Sequence, residues 1–236
     1  MNTYETAAVE ALIGKTNENN TLTTRAMMHE ICNVVTLISS SLQLIEKSHP
    51  EVGDFKYWNT TREDLQYLRS LLADISQFNT CDHLSLSRTD ITALLRDIIS
   101  SFENNSPHIA FTFQTEPALP LILCDRTRLR QVFINLIKNA CEALQNTTDA
   151  RITISISVSD NSDATLIITF KDNGCGIEPE HLPSIFTPMV SFKQGGSGLG
   201  LAISKKIIEA HKGSLQAESV PDEGTCFTVT LPVNAT

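Results

Sequence analysis

Pro50 is the only proline before Pro107, whereas six of the ten glycines fall between Gly174 and Gly200. A chain punctuated so unevenly can hold long helices in its first part and must turn repeatedly in its second. Thr21 to Lys47 reads as one helix, because Met27, Ile31, Val34, Ile38, Leu42 and Ile45 recur at steps that keep one face apolar. The segment HPEVGD (49–54) is a turn, and a second helix runs from about Lys56 to Asn79 with the stripe Leu65, Leu68, Leu72, Ile75 and Phe78. Two helices joined by a short loop make an antiparallel hairpin. A lone hairpin buries little apolar surface, so it either pairs with a second copy as a four-helix bundle or packs on the second half of its own chain; the homodimer is expected.

From Asp82 the pattern changes. Asp90 is placed to cap a helix carrying Leu94, Leu95, Ile98, Ile99 and Phe102. Strands are expected around Ile109–Phe113, Leu121–Cys124, Arg151–Ser159, Thr165–Lys171, Ser214–Ser219 and Thr225–Leu231, with helices at Arg126–Gln145 and Leu199–Ala210. The fold class is therefore α+β. Residues 1–20 form a flexible lead-in, 21–81 the helical hairpin, and 82–236 a two-layer α/β sandwich with its helices on one sheet face.

Composition narrows the partners. A formal charge of −9 argues against a nucleic-acid surface, which needs clustered Lys and Arg. Six cysteines without a CxxC pair suit reduced residues in a cytoplasmic protein. No apolar run reaches membrane-spanning length, so no membrane segment is expected.

His29 stands out within the first helix. At about 100° per residue it lies far round the helix from the Met27–Ile31 stripe, and Asn33 shares its face. By itself it reads as a solvated surface histidine. Four segments of the second half suggest more. NLIKNACEA (135–143) puts Asn135, Asn139 and Glu142 on one helix face, and carboxamide oxygens are hard ligands suited to a magnesium ion bridging nucleotide phosphates. DNGCG (172–176) follows a strand, where the Asp172 carboxylate can accept from an exocyclic amine while Gly174 and Gly176 admit a flat ring. GGSGLG (195–200) opens a helix whose first amides can cradle phosphate. Gly224 and Thr225 lie between the two terminal strands. Each segment alone is commonplace.

In this order and spacing they resemble the ATP-binding domain shared by histidine kinases, gyrase, Hsp90 and MutL, over roughly Asp90 to the end of the chain. The resemblance implies ATP with Mg²⁺ as cofactors. Asp172 would bind the adenine amine, Asn139 would hold Mg²⁺ with help from Asn135, and Lys193 in a short lid would meet the terminal phosphate. Gly174, Gly176, Gly196, Ser197, Gly198, Leu199, Gly200 and Thr225 complete the implied nucleotide site. The lid carries Met189 where relatives have an aromatic residue.

A His29-Glu30-x-x-Asn33 helix ahead of such a domain resembles the dimerisation and phosphoacceptor hairpin of sensor histidine kinases. That implies phosphorylation of His29, with Glu30 orienting its ring, and transfer to a response-regulator aspartate. Asn33 would position water for the reverse activity. Cys32 and Val34 replace the basic residue and the proline usual at those positions. The rival readings are a phosphotransfer scaffold without autokinase activity, an anti-sigma-type serine kinase and a conformational ATPase of the same fold.

Overall fold

A computed structural model describes residues 27–79, 84–117, 119–159, 164–193 and 196–233. The expected lead-in, the start of the first helix and Gly195 lie outside these residues. The chain divides after Asn79 into two compact units.

In the first unit, helix α1 covers 27–48, a 3₁₀ turn covers Pro50–Asp54, and helix α2 covers Trp58–Phe78. The helices are antiparallel: Glu46 near the end of α1 binds Arg62 near the start of α2 at 2.6 Å. Ser39 and Leu42 line a shallow depression with Leu65 and Arg69. The turn is pinned by Val52, which is buried.

The apolar stripe requires a correction. The residues of α1 that lose solvent within one chain are Met28, Cys32, Val35, Ser39, Leu42 and Glu46, of which Val35 is 5% exposed. Of the expected stripe, Met27, Ile31, Val34, Ile38 and Ile45 remain exposed, as does Leu68 on α2. The helix is apolar around more than half its circumference. Periodicity located the apolar side but not the flank that meets α2.

The second unit is the expected α+β sandwich. Its elements are β1 (Ser87–Thr89), α3 (Ile91–Asn105), β2 (Ala110–Thr115), β3 (Ile122–Cys124), α4 (Arg126–Ala143), β4 (Arg151–Val158), β5 (Thr165–Asp172), α5 (Gly200–Ala210), β6 (Ser214–Val220) and β7 (Gly224–Pro232). Asp90 caps α3 by accepting from the Ala93 amide at 2.9 Å, and Asp125 caps α4 through the Arg128 amide at 3.0 Å. Each such cap is worth about 1 kcal/mol.

The main sheet has the order β2-β4-β5-β7-β6. Only the β2–β4 pair is parallel, and its crossover is the segment containing β3 and α4. Alternation along β4 and β5 points Ile152, Ile154, Ile156, Leu166, Ile168 and Phe170 into the core, where they meet Leu94, Leu95, Phe133, Leu136 and Ile137. These large side chains are at most 2% exposed, and burying each contributes about 1.5–3 kcal/mol. β1, absent from the sequence reading, pairs with β3 in a separate two-stranded sheet. Leu121 and Ile109 fall just outside the strands assigned to them.

Two hydrogen bonds fasten α4 to α5. The Asp125 amide donates to His211 Nε2 at 3.0 Å, and Asn135 Nδ2 donates to Ser204 Oγ at 2.9 Å. His211 gives its Nδ1 proton to the Ile207 carbonyl at 2.8 Å, which fixes the neutral tautomer. Burial lowers its pKa from the ordinary histidine value, with the Ile207 bond and the Asp125 charge pulling the other way.

Candidate functional site

The ends of β5, α4 and β7 converge on Asp172. As the last residue of β5 it is 3% exposed, and its Oδ1 accepts from the amides of Gly174 at 2.9 Å and Thr225 at 3.3 Å. Both bonds reach the same oxygen, so Oδ2 takes neither. Burial pushes the carboxyl above the usual carboxylate range, with the two amides and the charge of Lys193 pulling the other way. In its ionised form a buried carboxylate is an acceptor that suits an amine donor such as that of adenine.

The loop after Asp172 is held from three sides. The Cys175 amide donates to the Ala143 carbonyl at the end of α4, and Asn173 Oδ1 accepts from the Arg151 amide at 2.7 Å. Ser219 on β6 accepts from the Ile177 amide at 2.8 Å and bonds the Thr225 hydroxyl at 2.9 Å. Gly176 adopts φ +69° against the Val220 backbone, a place that a Cβ could not share. Gly174 presses on Ala143.

The second glycine segment closes where the Met189 amide donates to the Gly198 carbonyl at 3.1 Å. Gly198 has φ +66°, and a Cβ there would lie 2.7 Å from the backbone of Met189 and Val190. Gly196 sits beside Ser191, and Ser197 Oγ accepts from the Leu199 amide at 3.3 Å. α5 then begins at Gly200 with no side-chain cap, so its first amides offer donors to an anion.

On α4, Asn135 and Asn139 play different parts. Asn135 is committed to Ser204, and its Oδ1 is so near Gly200 that a Cβ there would approach to 2.7 Å. Asn139 Oδ1 accepts from Lys193 Nζ at 3.0 Å, and Glu142 Oε2 binds the same ammonium at 2.7 Å. These two hard oxygens already hold one cation, so the donor set fits a divalent ion. Beside Lys193, Phe192 stacks on His181 with centroids 3.7 Å apart.

In the hairpin, His29, Glu30 and Asn33 are all exposed. Asn33 Nδ2 lies 3.2 Å from His29 Nδ1, one helical turn away. Sequence reasoning named Glu30 as the ring's partner and did not foresee this contact. It also missed Ser204 and Ser219, since a serine within a helix or strand carries no pattern of its own.

Comparison with known proteins places the chain in a family. Residues 124–235 match the profile of the family described as histidine kinase-, DNA gyrase B- and HSP90-like ATPases. Sporulation kinase E of Bacillus subtilis (strain 168) is 31% identical over 87% of this chain and 27% of its own length. ShkA, solved full-length with AMPPNP, superposes with a TM-score of 0.73 at 25% identity, covering 89% of this chain and 46% of that one. The catalytic domain of the histidine kinase ThkA is 30% identical with a TM-score of 0.55, covering 63% of this chain and 96% of that domain. ThkA in complex with the response regulator TrrA gives 0.62 at 26% identity, over 98% of this chain and 67% of that one. The chain belongs to the histidine kinases. It spans about a quarter to a third of the length of the first two curated relatives, at 27% and 34%. No helix among the described residues is long and apolar enough to cross a membrane.

Proposed function

We propose that this chain is the catalytic core of a two-component sensor kinase, which transfers the terminal phosphoryl group of ATP to His29 and from there to a response-regulator aspartate. The observation that carries the reading is the buried Asp172, with one oxygen held by two amides, in the same unit as the Asn139–Lys193 pair. Asp172 accepts from the adenine amine, and the uncapped start of α5 with Gly196, Ser197, Gly198 and Leu199 takes the phosphates. Asn139, assisted by Asn135, would hold Mg²⁺, which would supply positive charge to the phosphates.

Transfer forms a bond from an imidazole nitrogen to the terminal phosphorus and breaks the bond to the bridging oxygen, releasing ADP. The proton on the other ring nitrogen passes to the Glu30 carboxylate. Asn33, within reach of Nδ1, fixes which nitrogen is free by the way its amide is turned. It also holds water for the regulator's dephosphorylation. The exposed apolar residues Met27, Ile31, Val34 and Ile38 support a homodimer through the hairpin. The solved ThkA–TrrA complex supports a regulator as the partner.

Incubation with labelled ATP and Mg²⁺ tests the assignment. Wild type gains acid-labile, base-stable label, and His29→Ala gains none while binding nucleotide normally. Equal labelling of the two proteins rejects His29, and acid-stable label favours the serine-kinase reading.

A further inference from the structure

The lid lysine and a helix carboxylate outside the glycine segments make one further arrangement. Glu142 lies one turn beyond Asn139 on α4, and both offer an oxygen to the Lys193 ammonium, at 2.7 and 3.0 Å. The other Glu142 oxygen is 3.8 Å from Lys138 Nζ, too long for a close pair. Lys193 is therefore the principal counter-charge of Glu142. The pair is half-exposed, so its own contribution to folding is small. Its meaning lies in where it sits.

A carboxylate beside Asn139 is awkward in a site for phosphates. Nucleotide phosphates approaching Asn139 bring several negative charges toward Glu142, and like charges at such range repel strongly in a partly desolvated cleft. The repulsion is relieved only while a cation bridges the two. Lys193 is such a cation, but on the reading above it is also needed at the terminal phosphate. One ammonium cannot stay within hydrogen-bond reach of both Glu142 and a phosphate oxygen some distance away without weakening one contact.

We infer that Glu142 is the residue that makes nucleotide binding depend on a divalent cation: it is shared in turn by Lys193 and by the ion that arrives with the phosphates. When the ion takes the oxygens of Asn139 and Glu142, Lys193 is displaced toward the terminal phosphate. When nucleotide comes without the ion, Lys193 is retained by Glu142 and the terminal phosphate is left without its counter-charge. The inference rests on the proposed nucleotide site and names Glu142 as its positioning residue, because it acts through Lys193 and the cation.

The test is equilibrium binding of trinitrophenyl-ATP in EDTA and at graded Mg²⁺, with the whole chain. Wild type should bind at least tenfold more tightly with saturating Mg²⁺ than in EDTA. Glu142→Gln should bind the metal-free nucleotide several-fold more tightly than wild type, and its Mg²⁺ effect should shrink at least fivefold. Glu142→Asp, which keeps the charge, should retain most of the Mg²⁺ effect. Lys193→Met should lower the Mg²⁺ concentration needed for half-maximal effect, since the ion no longer competes with an ammonium. An unchanged ratio between EDTA and Mg²⁺ in Glu142→Gln overturns the inference, provided that variant melts like wild type. Should it not, an equal loss of coupling in Glu142→Asp and Lys193→Met has the same consequence. Failure of the nucleotide-site reading looks different: wild type and Asp172→Asn would then bind the analogue alike.

Discussion

The hairpin and the sandwich use apolar residues in opposite ways. In the sandwich, Leu94, Leu95, Phe133, Ile152, Ile154 and Phe170 are closed off from water within one chain. Among the described residues of the hairpin only Val35, Val52 and Leu72 are buried, while Met27, Ile31, Val34, Leu37, Ile38, Leu44 and Ile45 face outward. The sandwich contains its own reason to fold. The hairpin carries apolar surface beyond what its two helices cover, together with the exposed His29 proposed as phosphoacceptor. A nucleotide site benefits from burial, because a desolvated carboxylate and fixed amides recognise one amine well. A phosphoacceptor benefits from exposure.

The largest expected effect separates the two kinds of apolar position in the hairpin. Leu72→Asp places a carboxylate at a 6% exposed site and should cost about 3 kcal/mol or more, melting the hairpin in circular dichroism while the sandwich survives. Ile38→Asp, at a 45% exposed site, should leave helicity intact and convert the proposed dimer to monomer by light scattering. If both variants melt the hairpin alike, the outward stripe is not an interface.

Next in size is Asp172→Asn. Removing the charged acceptor should weaken nucleotide binding by about 1–3 kcal/mol, read by titration. Stability should move the other way. The folded-state pKa is raised, so the folded protein binds more protons than the unfolded chain between the ordinary and the raised value. Stability is therefore lost as pH rises through that window, and the neutral Asn removes that cost. A variant with a lower melting temperature at pH 7 would assign Asp172 to the core and not to the ligand.

A smaller effect belongs to His211. Its folded-state pKa is depressed by burial, so its contribution is complete above the ordinary histidine value of about 6.5 and is lost as pH falls below it. Melting curves of the sandwich from pH 7.5 to 5 should fall more steeply for wild type than for His211→Gln, which still accepts from the Asp125 amide. Parallel curves would show that His211 does not titrate in this range.

The smallest change concerns Trp58 at the start of α2, whose buried indole N–H has no partner among the described residues. Trp58→Phe removes the unsatisfied donor while keeping most of the ring, and should shift hairpin stability by no more than about 0.5 kcal/mol in either direction. A larger loss would mean that the indole's size, and not its N–H, matters at the turn.

What the sequence made legible follows the range of the interactions. Asp90 and the Asp172–Gly176 turn were readable because capping and positive φ are decided within a few residues. The alternating strands and helix periods were readable for the same reason. The flank of α1 that meets α2 was not, because Met27 and Met28, Ile31 and Cys32, and Val34 and Val35 are neighbours of similar apolarity. β1 escaped because Ser87, Arg88 and Thr89 are too few and too polar to show alternation, and only β3 makes them a strand. Asn135 was assigned by face to the ion, yet its amide is also tied to Ser204, sixty-nine positions away in the chain.

The two bonds between α4 and α5 have a mechanical consequence. They join antiparallel helices near one end, at Asp125 and His211, and again toward the other, at Asn135 and Ser204. A pair pinned at two levels resists both sliding and splaying. The amides of both helices should then exchange with deuterium only when the whole sandwich opens, and at a common rate. Lys193 touches this pair through its side chain, at Asn139 and Glu142, so that contact can break and re-form in a different time regime without disturbing the helix that presents Asn139.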